Sequence, residues 1–336
     1  IMEVILSPVA ISKFTHATSS SMVVAALFVI SVASWFLLKG RHLEMAKRSI
    51  IVAAVFGLLS SGLTLFTGDE HAFENAKLQP MKLAAFEGLY DGQKNADIVA
   101  VGILNSAKKP GDDQDPFLMS IKIPGLLSLL ANRSPGSFVP GINDLVYGNK
   151  TENIMGAVAK IEKGQLAVEN LARYKVAKKD GAEDAALSAL TIFNENKQYL
   201  GYGYLKTPEE AVPPVGLTFY SFHIMVALGS LFPLVFLAYL FFIYKDTLPE
   251  KRWLLVPGVT MFLLGLIASQ AGWVVAEVGR QPWAIEGLLP VTIARSNLTA
   301  GTVQATFYMF LILFTILLIA EIKIMAKQIS IGPEGN

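Results

Sequence analysis

The chain has 336 residues, 53% hydrophobic and only 16% charged, with a formal net charge of +1 and a mean hydropathy of +0.48. Soluble domains carry about a quarter charged residues, so the deficit points to a membrane protein, and the balanced charge argues against nucleic acid as a partner. Cysteine is absent, which excludes disulfides, iron–sulfur clusters ligated by this chain and thiolate-bound haem, leaving His, Met or carboxylate for any metal.

The sequence opens at Ile1, with no cleavable signal pattern ahead of its first apolar run, and reads as a candidate fragment of something longer. Five runs reach the roughly 20 residues needed to cross a bilayer: 17–38, 50–67, 215–244, 253–275 and 300–322, the second being short. Lys39, Arg41, Lys47 and Arg48 separate the first two runs, Lys245, Lys251 and Arg252 the third and fourth, and Lys323 and Lys327 follow the fifth. Simple alternation puts all three basic clusters on one side, which positive charge marks as cytoplasmic. The expected fold is all-α: a polytopic membrane helix bundle of about five transmembrane helices with a large extracytoplasmic loop domain. It divides into residues 1–67, 68–214 and 215–336, with the middle interval outside and the C-terminus in the cytoplasm.

Within the long loop, "KKPGDDQDP" is an exposed, turn-rich piece. Helices are expected near 153–178 and 182–199; in the first, Ile154, Val158, Ile161, Val168 and Leu171 recur at helical spacing. The loop reads as a folded cap, and no internal repeat is seen.

Polar groups within or beside membrane spans are costly and are therefore functional candidates. His16 begins the first run in "KFTHATSSSMVV", with Ser12 and Ser20 four residues away on either side; it is either an interfacial histidine or a ligand approached by a flat macrocycle across low walls. Met225, in "FHIMVALGSL", has Ser221 and Gly229 at the same offsets; alone it reads as packing filler. Together the two suit a six-coordinate haem iron with His/Met ligation. His223, two residues from Met225, faces elsewhere. In "AGWVVAEVGRQPW", Trp273, Glu277 and Arg280 share one helical stripe; this is a structural ion pair with an aromatic belt, or a metal-side carboxylate with a propionate-binding arginine. In "MKLAAFEG", Lys82 and Glu87 bracket an apolar stretch, which suits a quinol head and its proton acceptor or an ordinary solvated helix face. His42 in the basic turn and His71 in "GDEHAFEN" read as interfacial and solvated, without a role.

"GWVVAEVGRQPWAI" resembles the signature of cytochrome bd quinol oxidase subunit I. The resemblance continues through "SPVAISKFTHATSS", "SWFLLKGR", "AKRS", "MKLAAFE", "LGYG", "FHIMVALG" and "LTAG", covering nearly the whole chain and weakening between about 90 and 195. It implies that His16 and Met225 are the axial ligands of a low-spin haem b and that Glu277 ligates a high-spin haem b, with Arg280 and Trp273 beside the haem group. It further implies that Lys82 and Glu87 bind and oxidise quinol, making 68–214 the Q loop. A bacterial cytoplasmic (inner) membrane enzyme reducing O2 to water is expected, with subunit II and small single-span subunits as partners. Two departures stand out. The family's first four spans have no counterpart here; they bear the histidine for haem d or an equivalent, so an N-terminal part of subunit I is a further expected partner. The family also often has Arg where this chain has His223. Alternatives are a haem- and quinol-binding subunit that is not itself an oxidase, and a haem-free scaffold or transporter.

Overall fold

A computed structural model describes Met2 and residues 6–333; the outermost positions of the first and last expected intervals, residues 1, 3–5 and 334–336, lie outside the described residues. Among the described residues five helices are long and apolar enough to cross a membrane. Helix α1, Pro8–Lys39, starts where Ser7 Oγ accepts from the Ala10 amide and Pro8 occupies the first turn, where amides lack helical acceptors anyway. It ends at Gly40, whose φ of +67° lets the chain turn back on Leu37 and Phe36. Helix α2, Leu43–Leu78, has 36 residues. The second span is therefore not short, and the outer loop does not begin at residue 68: the helix runs on to Leu78, because 68–78 contain no residue that stops it until Pro80 follows.

Short helix α3, Pro80–Glu87, closes on Gly88 at φ +65°. The loop then forms strands β1 (Gln93–Lys94) and β4 (Phe138–Val139), which pair, and an antiparallel hairpin of β2 (Ile98–Leu104) with β3 (Phe117–Ile123); sheet is minor beside helix. Helices α4 (Leu126–Asn132), α5 (Ile142–Tyr147), α6 (Ala157–Lys179) and α7 (Glu183–Asn196) follow. The last two match the expected helices with shifted ends. The buried face of α6 is Ala157, Ile161, Gly164, Ala167 and Asn170, not the stripe through Val168 and Leu171, and Ile154 precedes the helix. The cause is a backbone approach: a β-carbon on Gly164 would lie 2.3 Å from the Gly203 amide nitrogen.

Helix α8, Val215–Tyr244, runs back antiparallel to α2. Lys47 Nζ meets Asp246 Oδ1 at 2.6 Å, and Gly57 sits beneath the Phe236 ring, 2.4 Å from where its β-carbon would be. The fourth span is not continuous over 253–275. Pro257 has no amide proton, and the chain breaks at Val259–Thr260 between α9 (Arg252–Gly258) and α10 (Met261–Val278). Ser31 Oγ accepts from the Phe262 amide at 3.3 Å, satisfying one of the free donors at the new helix start.

Leu27, Ile30, Ile50, Phe236 and Leu255 build the main core between these helices. Inside it, Tyr239 Oη donates to Leu254 O at 3.2 Å and lies 2.8 Å from Ser34 Oγ. Strands β5 (Trp283–Ile285) and β6 (Leu289–Pro290) follow α10. A second unit begins at Ala294; it is helix α11, Ala300–Ile331, capped by Thr299 Oγ1 accepting from the Thr302 amide.

Candidate functional site

His16 projects from α1 onto α2. Its Nδ1 is 3.2 Å from Thr67 Oγ1, and that hydroxyl gives its single proton to Leu63 O at 2.8 Å. Thr67 must then accept from Nδ1–H, which leaves the lone pair on Nε2. Gly68 closes against the ring: a β-carbon there would lie 3.2 Å from Cε1.

Met225 on α8 meets α10 at Gly272, where a β-carbon would stand 3.0 Å from the sulfur. The register of α2 against α8 relates the two candidate ligands. Lys47 pairs with Asp246 and Gly57 with Phe236, so each step up α2 is matched by an equal step back along α8. Continuing the same march, Gly68 falls level with Met225, and Gly68 touches His16. That continued register sets an imidazole and a thioether, far apart in sequence, at a similar depth along the helices. Of the low walls expected from the sequence, Ser12 and Ser221 are buried, whereas Gly229 faces open space. The glycines that do the close packing, Gly68 and Gly272, and the anchoring Thr67 were missed. They belong to other helices than the residues they serve, so no i±4 pattern could find them.

Lys82 and Glu87 lie on α3 and are 5% and 4% exposed; an ordinary solvated face is excluded. Burial, then Lys13 and Arg280, brings the Lys82 ammonium down to about 8, while burial alone pushes the Glu87 carboxyl up to about 8. Glu87 Oε2 has no hydrogen-bond partner. The Phe86 ring beside it stacks on Phe222 of α8 at 4.2 Å.

Glu277 lies within α10, not past its end, and pairs with Arg280 at 2.5 Å. Trp273 is 58% exposed on the same helix. Sequence reading also missed Glu286, in the turn between β5 and β6; burial raises its carboxyl to about 7 against the pull of Lys160 and Lys82.

His71 is not in a solvated loop. It lies on α2, its ring 6.2 Å from that of His16 and edge-on, with Nε2 buried and unpartnered. His223 does turn away from the Met225 face: its Nε2 donates to Val99 O at 2.7 Å, and Nδ1 lies 2.9 Å from Phe219 O. It ties the β2–β3 hairpin to α8, helped by the Leu104 amide donating to Tyr220 Oη at 3.0 Å. Among the described residues no group of three or more His, Asp or Glu is placed to hold a metal ion; a His/Met pair is a different donor set.

A family model for cytochrome bd terminal oxidase subunit I matches residues 1–333. The chain belongs to the cytochrome bd terminal oxidase subunit I family. It is 33% identical to cytochrome bd-II ubiquinol oxidase subunit 1 of Escherichia coli (strain K12), with 99% of this chain and 64% of that protein covered. It is 26% identical to cytochrome bd ubiquinol oxidase subunit 1 of Bacillus subtilis (strain 168), over 96% of this chain and 57% of that one. The bd oxidase structure from Geobacillus thermodenitrificans shares the fold, with a TM-score of 0.71 at 22% identity, covering 99% of this chain and 60% of that one. The chain thus spans less than two thirds of the length of the relatives it matches. As a bd-family subunit with five membrane-length helices it is a multi-pass protein of the inner membrane. The family carries haem, and the donors here fit such a group. His16 offers a free Nε2 lone pair, Met225 offers a thioether at the same depth, and Arg280 Nε is buried without a partner, as a propionate carboxylate would require.

Proposed function

We propose that this chain is the haem-bearing subunit of a bd-type terminal oxidase that oxidises membrane quinol beside α3, the overall reaction delivering two electrons and two protons per quinol and reducing O2 to water. The reading is supported by one relationship: the α2–α8 register fixed by Lys47–Asp246 and Gly57–Phe236, continued to Gly68 against His16, sets His16 level with Met225, in a chain that also buries Lys82 and Glu87.

Haem would supply one-electron transfer, with His16 and Met225 the residues that would hold a low-spin haem b and Glu277 the one that would hold a high-spin haem b, while haem d or an equivalent would belong to the additional length that relatives possess. The chain's own residues do the rest. Glu87, held near 8 by burial, takes a proton from a quinol hydroxyl at near-neutral pH and can release it again. The Lys82 ammonium steadies the oxygen as negative charge develops. Arg280 holds Glu277 and offers its remaining N–H groups to a propionate. Trp273, exposed on α10, would line the surroundings of such a haem. Basic residues at the Lys39–Arg48 and Lys245–Arg252 turns orient the membrane, with residues 68–214 outside and the C-terminus cytoplasmic. Quinol protons then leave on the outer side. Subunit II, small single-span subunits and the N-terminal part of subunit I complete the enzyme.

Coverage of only 64% of the Escherichia coli relative favours a second reading, a haem- and quinol-binding subunit that needs another polypeptide to reduce oxygen. A reduced-minus-oxidised spectrum tests both against a haem-free scaffold. Quinol-driven oxygen uptake, measured with and without a polypeptide supplying the additional spans, separates them: uptake only when both are present supports the oxidase reading, and none in either case leaves the second.

A further inference from the structure

Helix α2 carries its site face past the level of the candidate iron ligands. Thr67 anchors His16; one helical turn further on, His71 occupies the same face. Its ring is half-buried, edge-on to His16 at 6.2 Å, and Lys13 and Lys82 lie within electrostatic reach of it. Its Nε2 is buried without a hydrogen-bond partner, and so are Gln79 Oε1 at the start of α3 and Glu87 Oε2 at its end. Gln79 precedes Lys82 by three residues, on one face of α3.

Buried polar atoms left without partners cost about 1–3 kcal/mol each, so this group describes the chemistry of what it binds. Gln79 Oε1 only accepts, Glu87 accepts when ionised and donates when protonated, and imidazole donates or accepts according to tautomer. A carboxylate ligand, such as a haem propionate, could satisfy His71 but not Gln79 Oε1, nor Glu87 once it is ionised. A hydroquinone hydroxyl both donates and accepts, and so suits all three in either state of Glu87.

We propose that His71 is a head-group ligand of the quinol site, hydrogen-bonding through Nε2 to a hydroquinone oxygen from the α2 side while Lys82 and Glu87 serve the head group from α3. This rests on the quinol-oxidase reading above and adds a residue on the other wall. As the hydroxyl gives its proton to Glu87, charge develops on an oxygen flanked by the His71 N–H and the Lys82 ammonium.

The test uses the assembled oxidase in membranes, with duroquinol as the probe. His71→Phe keeps a flat ring and removes the hydrogen bond; KM for duroquinol should rise about 10-fold, the loss expected for one buried hydrogen bond. The low-spin haem spectrum and its midpoint potential should not move. His71→Gln, whose amide can reach the Nε2 position, should recover KM to within about 3-fold of the parent. Unchanged KM in His71→Phe at full haem content would overturn the assignment. A shifted potential with unchanged KM would overturn it too, by placing a propionate there. If His71→Phe fails to assemble, His71→Asn, too short to reach, decides on the same two readouts. Parallel Glu87→Gln and Met225→Leu variants separate the two levels. If they behave as the oxidase reading requires and His71→Phe is silent, only His71 is lost; if they are silent, both fall.

Discussion

Gly272 and Met225 touch across the α8–α10 contact: a β-carbon on the glycine would stand 3.0 Å from the thioether sulfur. Gly272→Val therefore forces the sulfur away from its place, whereas Gly272→Ala needs a shift of only tenths of an ångström. The low-spin signal in a reduced-minus-oxidised spectrum should be lost in the first and kept, slightly displaced, in the second. An unaltered spectrum in Gly272→Val would remove the sulfur from the iron.

Thr67 Oγ1 lies 3.2 Å from His16 Nδ1 and, with its own proton on Leu63 O, accepts from it. A hydrogen bond to the far nitrogen of a ligating imidazole makes it a stronger donor to metal. Thr67→Val keeps the shape and deletes the acceptor, so the low-spin midpoint potential should move upward with haem content retained. Redox titration measures it, and a downward or absent shift counts against this role.

Glu87 and Lys82 set the pH response. Rate should climb as Glu87 ionises near pH 8 and fall as Lys82 loses its proton near the same value, giving a maximum close to pH 8. Glu87→Gln should lose the rising limb and slow turnover about 100-fold at constant haem content; Lys82→Arg should lose the falling limb. Stability has its own sign. Folded Glu87 keeps its proton up to about 8, whereas the unfolded chain releases it near 4.5, the ordinary value. The folded state binds the extra proton across that window, so stability falls as pH rises through it. Thermal midpoints in detergent at pH 5 and pH 8 should show a larger fall in the parent than in Glu87→Gln, the remaining fall coming from Glu286, whose carboxyl is raised to about 7.

Gly57 accommodates the Phe236 ring, which would lie 2.4 Å from an added β-carbon. Gly57→Ala should cost about 1–3 kcal/mol through overpacking, read as a lower thermal midpoint; the haem spectrum, governed a good distance along the helix, should be retained.

His223→Phe removes the donor to Val99 O and should loosen the β2–β3 hairpin. Limited proteolysis within 105–116 should accelerate, with little change in the thermal midpoint of the helix bundle.

The membrane-crossing helices were legible because twenty-residue apolar runs bounded by Lys and Arg suit a bilayer and little else. Their ends were not. Residues 68–78 are polar enough to resemble loop, yet nothing in them breaks a helix, so α2 continued and carried His71 out of the solvated class. Pro257, by contrast, sits in an apolar run that hydropathy cannot distinguish from a continuous span. At the site, Lys82 and Glu87 were visible as residue types, but their burial depends on α8 and the hairpin packing over α3, which no local pattern encodes. Gly68 and Gly272 were invisible for the same reason: a glycine chosen for its neighbour's sake shows nothing in its own helix.

Helix α2 has 36 residues, about 54 Å at 1.5 Å per residue, against roughly 30 Å of hydrocarbon. It is one rod that emerges from lipid bearing Thr67, Gly68 and His71 in fixed angular phase. Inserting a single residue between Gly68 and His71 would swing everything beyond it by about 100°, so the alignment of the two walls is set by helical pitch, and no flexible joint exists within that stretch to correct an error of count.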